Sequence, residues 1–134
     1  MSDDCERGRP PEYPFPADPE ASGYRVFPDD VEDDPHIFFH GTAESRLESI
    51  LKDGFTIPGP LPSLSLARDS SLSLRYASEA RSAKSPKGVV IAVRMDDVNR
   101  PGIVSEAFGL HLYTLEPQPV IVGYCIVPPD YNHV

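Results

Sequence analysis

The chain has 134 residues and a mass of 14.7 kDa, with 40% hydrophobic residues, 16 Pro, no Trp and a formal net charge of −9. That size fits one domain able to bury a core and excludes a two-domain enzyme. No apolar run approaches the roughly 20 residues that span a bilayer, and the opening residues MSDDCERGRPPEY lack the basic start and apolar centre of a secretory signal. A soluble, intracellular, cytoplasmic protein with no membrane partner is therefore expected. Cys5 and Cys125 stand in no CxxC or Cys/His spacing, so neither a disulfide framework nor a metal site is expected.

Charge is unevenly spread. Residues 1–35 hold 11 acidic side chains against Arg7, Arg9 and Arg25, which places −8 of the net −9 there, together with seven of the prolines. Such a composition buries too little apolar surface to offset its ordering entropy, so 1–35 is read as an acidic, Pro-rich arm, with residues 1 to about 22 as a tail. The pattern Tyr24-Arg25-Val26-Phe27 is β-prone and is expected to add an edge strand or drape over the domain before an acidic loop at Asp29 to Asp34.

Residues 36–134 read as a mixed α/β domain. His36-Ile37-Phe38-Phe39-His40, between Pro35 and Gly41, predicts a buried strand ending at a turn. Thr42 is placed to cap a helix bearing Leu47, Ile50 and Leu51, which stops at Gly54. Phe55 to Pro62 is a loop, and Leu64-Ser65-Leu66 a short strand. Asp69 caps a second helix, on which Leu72, Tyr76 and Ala80 share a face. Strands follow at Val89–Met95, Leu110–Leu115 and Val120–Val127, the last interrupted by Gly123. The strand-rich ending argues for α+β rather than a doubly wound sheet.

Two segments carry chemistry. His40-Gly41-Thr42 lies at an expected strand-to-helix junction, where free N–H groups and a Gly let a ligand approach the main chain. Ser65 on its strand is followed by Ser73 and Tyr76, three apart and so on nearly one helix face. Together they resemble the ADP-ribosyltransferase superfamily, in the branch of diphtheria-type toxins and poly(ADP-ribose) polymerases, whose first motif is H-G-[TS] and whose second strand leads into S-x-x-Y. The resemblance covers about residues 36–127. It implies an α+β fold with a split β-sheet core, two flanking helices and an NAD cleft.

By this resemblance NAD is the substrate and ADP-ribose passes to a protein or small-molecule acceptor, or to water. The Gly41 main chain and the Ser73 hydroxyl would hold the nicotinamide carboxamide, with Thr42 beside them. Tyr76 would stack on the ring, and His40 would bond the adenosine ribose. These roles suit the residue types, because a carboxamide needs a donor and an acceptor side by side and a flat cation is attracted to an aromatic face. Ser65 stands where the family often has Tyr, which leaves one wall smaller or filled by another aromatic such as Tyr113. At the third motif the family usually supplies a Glu; here His111 holds the strand position and Glu106 lies five residues earlier, while Glu116 is expected to face solvent. Either Glu106 reaches the ribose and full transfer follows, or His111 fills the place and single transfer or a disabled enzyme follows. Arg46, Arg68 and Arg75 are candidates for the pyrophosphate, with Arg75, beside Tyr76, foremost.

Cys125 is read as a buried strand residue, and His36 and His133 belong to no constellation. Two other functions stay open. An NAD-dependent RNA 2′-phosphotransferase also begins H-G-T, but a phosphorylated RNA end calls for converging basic residues, so nucleic acid is not the expected partner. The other is a catalytically disabled module that binds NAD or ADP-ribose. The chain is expected to act as a monomer.

Overall fold

Short runs of branched and aromatic residues, separated by Pro- and Gly-bearing turns, form strands here, and two stretches with spaced Leu, Ile and Ala form the longer helices. The computed structural model describes residues 10–57 and 61–132. In chain order these form β1 (Glu12–Tyr13), α1 (Asp29–Glu32), β2 (Ile37–Ala43), a 3-10 turn (Glu44–Arg46), α2 (Leu47–Asp53), β3 (Leu64–Ala67), α3 (Ser70–Glu79), β4 (Gly88–Arg94), β5 (Ile103–Glu106), β6 (Gly109–Leu112) and β7 (Val120–Val127). The molecule is thus α+β. Cys5, His133 and positions 58–60 of the expected loop lie outside the described residues. No helix among the described residues is long and apolar enough to cross a membrane.

The strands make one sheet in the order β1-β7-β4-β2-β3-β6-β5, antiparallel throughout except for the β1–β7 pair. Pairing is extensive on either side of one weak seam. β2 runs along β4 from Ile37 to Ala43, whereas it meets β3 only at Phe39↔Ala67. Side-chain alternation sorts the core into two layers. Phe38, Leu64, Leu66, Ile91, Leu110 and Leu112 pack beneath α2 with Leu47, Ile50 and Phe55. Phe39, Val90, Ala92, Cys125 and Val127 pack on the other face with Leu74 and Ala77 of α3 and with Val26, Phe27 and Val31 of the arm. Cys125 is fully buried, and that burial pushes its thiol pKa up to about 12.

Several expectations need correction. Thr42 caps no helix: β2 continues through Gly41 to Ala43 because β4 keeps offering partners, Gly41↔Val90, Thr42↔Val89 and Ala43↔Gly88. The helix begins only at Leu47, after the 3-10 turn. Of the two alternatives for the segment 23–27, the structure shows draping rather than an edge strand: Val26 and Phe27 pack on the α3 layer, and the edge position beside β7 belongs to Glu12–Tyr13. Residues 10–22 accordingly do not all behave as a tail, since the Tyr13 ring packs edge-on against Phe27 at 5.3 Å and sits over Gly123, with no room there for a Cβ. Asp29–Glu32, expected as loop, closes into one helical turn around buried Val31. On α3 the buried face is Ser70, Ser73, Leu74 and Ala77 rather than Leu72, Tyr76 and Ala80. The reason is close approach: a Cβ on Gly41 would lie 2.0 Å from the Ser73 carbonyl oxygen, and one on Gly88 2.4 Å from that of Ala77. Small residues face glycines so that the helix can lie on the strands. Finally, β6 ends at Leu112, not Leu115, and Ile103–Glu106 is a further strand paired to it.

Candidate functional site

The seam between β2 and β3 opens into a cleft of about 540 Å³ roofed by α3 and the β5–β6 turn. Of the residues expected at the site, His40, Gly41, Ser65, Ser73, Tyr76, Glu106 and His111 all line it. Thr42 and Arg75 do not. Thr42 lies in the ladder with β4, and Arg75 pairs with Glu79 at 3.3 Å and lines an adjoining recess with Arg68, Asp69 and Tyr24.

The main chain at Gly41 follows from ladder geometry. Met95 N–H donates to the His36 carbonyl at 2.8 Å and Glu44 N–H to that of Lys87 at 3.0 Å. In an antiparallel ladder hydrogen-bonded pairs alternate, so even-numbered residues of β2 turn their amides and carbonyls to β4 and odd-numbered ones turn theirs to the β3 side. On that side β3 meets only Phe39, so the N–H and C=O of Gly41 look into the seam. A donor and an acceptor thus stand side by side, without the helix N-terminus that the sequence predicts there.

Beside them Ser73 is 1% exposed and its Oγ has no hydrogen-bond partner. Leaving a buried hydroxyl unbonded costs about 1–3 kcal/mol, so Ser73, in the wall of the cleft, is a polar group short of a partner. Asp69 starts the helix that carries it, its carboxylate accepting from Ser71 N–H at 2.7 Å. One turn further on Tyr76 presents a half-exposed ring to the same cleft.

His40 leaves β2 on the opposite face, toward Phe55, whose ring it meets edge-on at 5.5 Å. Its Nδ1 lies 3.0 Å from the Ser65 carbonyl oxygen. A carbonyl only accepts, so Nδ1 carries the proton and Nε2 is left with a lone pair. Burial pushes the His40 pKa below the ordinary imidazole value, against the opposing effect of the Ser65 bond and with a smaller push from the charge of Arg46. The ring is a neutral acceptor at neutral pH.

The far wall comes from the β3–β6–β5 half. Ser65 Oγ stands 3.2 Å from His111 Nδ1, and His111 Nε2 stands 3.3 Å from Glu106 Oε2. The two third-motif alternatives therefore occupy one place together. Tyr113 is not the replacement wall: it follows the end of β6 and is outside the cleft lining. Phe108 is the aromatic there, 77% exposed at the tip of the two-residue β5–β6 turn. Sequence reasoning passed over it, although an aromatic in a turn just before Gly109 has no core to fill and is a usable signal.

Among known proteins, no protein-family model and no curated protein matches the chain.

Proposed function

We propose that this chain is an NAD-dependent mono-ADP-ribosyltransferase, acting as an NAD glycohydrolase where water is the acceptor, on an ADP-ribosyltransferase-like split sheet. The observation that carries the reading is the unbonded, buried Ser73 hydroxyl beside the open main-chain edge of Gly41, in a cleft that the Tyr76 ring also lines. Those three groups match a primary carboxamide on a flat, positively charged ring: the Gly41 N–H donates to the amide oxygen, its C=O accepts from the amide N–H, Ser73 adds a further bond, and Tyr76 stacks. The Nε2 lone pair of His40 accepts from a ribose hydroxyl. Glu106, at the rim, places negative charge near the ribose carbon that becomes electron-poor as the bond to nicotinamide breaks. Among the described residues no Lys or Arg lines this cleft, which disfavours a phosphorylated RNA end as its occupant.

Incubation with NAD, following free nicotinamide by mass spectrometry with and without cell lysate, tests this. Nicotinamide release that drops at least about 100-fold in His40→Ala and Tyr76→Ala is expected, since both position the reacting group. A mass increase on lysate proteins marks transfer, and its absence beside continued release marks hydrolysis. No release, with NAD or ADP-ribose still bound, would leave a disabled binding module.

A further inference from the structure

Ser65, His111 and Glu106 form a linked series, a hydrogen bond between Ser65 and His111 followed by a close charge contact between His111 and Glu106. Ser65 and His111 are directly opposite on β3 and β6, and Glu106 lies two residues along β5 from Val104, which faces His111. Leu64, Leu66, Leu110 and Leu112 point into the core beneath α2, so the three polar side chains emerge together on the α3 face, in the cleft. The Glu106 carboxylate, 3.3 Å from His111 Nε2 as a charge contact, favours the proton of the neutral ring at that nitrogen. That leaves the Nδ1 lone pair to accept from the Ser65 hydroxyl at 3.2 Å.

Both ends are anchored from outside the series. The Ser65 carbonyl accepts from His40 Nδ1, and Arg68 donates through Nε to the Glu106 carbonyl at 3.2 Å and through Nη2 to Ser105 Oγ at 2.6 Å. A serine hydroxyl held to an imidazole whose other nitrogen faces a carboxylate is an arrangement that makes a hydroxyl a better nucleophile or a carrier of a proton.

We infer that Ser65, His111 and Glu106 are a proton relay that fits this cleft to hydroxyl acceptors, water or an alcohol, rather than to acceptors that bring no proton to be removed. This rests on the NAD-cleaving reading above. In the step, the bond between ribose C1′ and nicotinamide breaks, and nicotinamide departs neutral with the electron pair. The acceptor oxygen forms the new bond to C1′. Its proton passes to Ser65 Oγ as the Ser65 proton passes to His111 Nδ1, and the charge on the imidazolium is balanced by Glu106. His111 and Ser65 are catalytic in this scheme, and Glu106 is a positioning residue for His111.

The full chain is assayed with NAD and either methanol or azide, which has no proton to lose. His111→Ala and Ser65→Ala are expected to lower methyl ADP-ribose formation about 100-fold more than they lower ADP-ribosyl azide formation. An equal fall with both probes would make the pair merely structural, and unchanged methanolysis in His111→Ala would also overturn the relay. A wild type that releases no nicotinamide with either probe overturns the NAD reading itself, which separates the two failures. Independently of turnover, long-range proton–nitrogen spectra of histidine-labelled protein, with His111 assigned through His111→Gln, should show His111 as the Nε2–H tautomer and lose that preference in Glu106→Ala. An Nδ1–H ring in the wild type would overturn the assigned direction.

Discussion

Ser73 has a buried hydroxyl with no hydrogen-bond partner, which costs the fold about 1–3 kcal/mol that an alanine methyl would not. Ser73→Ala should therefore raise unfolding free energy by about 1 kcal/mol in denaturant melts without ligand, while reducing the rise in melting temperature that nicotinamide should produce in the wild type on the proposed reading. A destabilised Ser73→Ala, or one stabilised by nicotinamide as much as the wild type, would remove the ligand-facing role. His40 makes a different prediction. Its folded pKa is below the 6.5 of the free side chain, so the unfolded state binds the proton more readily. The stability this provides is fully present above 6.5 and is lost as pH falls through that value toward the folded pKa. Thermal melts at pH 7.5 and pH 5 should show a larger acid loss in the wild type than in His40→Asn, which has no titrating ring.

At the scale of elements, the arm is fastened to the helix that roofs the cleft. The Glu32 side chain is 1% exposed and accepts from Phe27 N–H at 3.0 Å, from Arg25 Nε at 3.4 Å and from the Ser70 hydroxyl. Ser70 opens α3 and also accepts from Val26 N–H at 3.2 Å. Glu32→Ala leaves the Phe27 N–H and the buried Ser70 hydroxyl without their anion and should cost about 3 kcal/mol in urea unfolding, whereas the exposed Glu79→Ala should cost less than about 0.5 kcal/mol. This fastening was hidden in the sequence: Glu32 reads as one more charge in an acidic run until the fold brings Ser70 to it. What was legible had strong local cause, as with the apolar run at Phe38 and Phe39, the Asp69 cap and the branched stretch of β4. What was not legible depended on distant partners. Thr42 has the form of a cap, but β4 extends alongside it; Tyr76 has helical periodicity, but Gly41 and Gly88 draw in the Ser73 and Ala77 face instead. At the site, the H-G and S-x-x-Y spacings picked out groups that line one cleft. The joining of Glu106 to His111 was not visible, because a hairpin register decides it.

Over the whole molecule, the sheet is two ladders sharing one seam. β7, β4 and β2 are joined along most of their lengths and carry residues from both core layers, so they form the slow-opening part of the fold. β3, β6 and β5 are four residues each and meet the rest of the sheet only at Phe39↔Ala67. Fewer ladder bonds and an outer strand with three exposed positions mean that this half opens at lower free energy. Amide hydrogen exchange should therefore proceed at least about 10-fold faster in β5 and β6 than in β4. On the proposed reading, a ligand in the seam would touch Gly41 and Ser73 on one side and Ser65 and His111 on the other, and so tie the halves together without adding a strand. Adding nicotinamide should slow exchange in β3 and β6 while leaving β4 and β7 unchanged. Equal protection of both halves before ligand, or slowing confined to β4, would mean that the seam is not the joint through which the site and the fold are coupled.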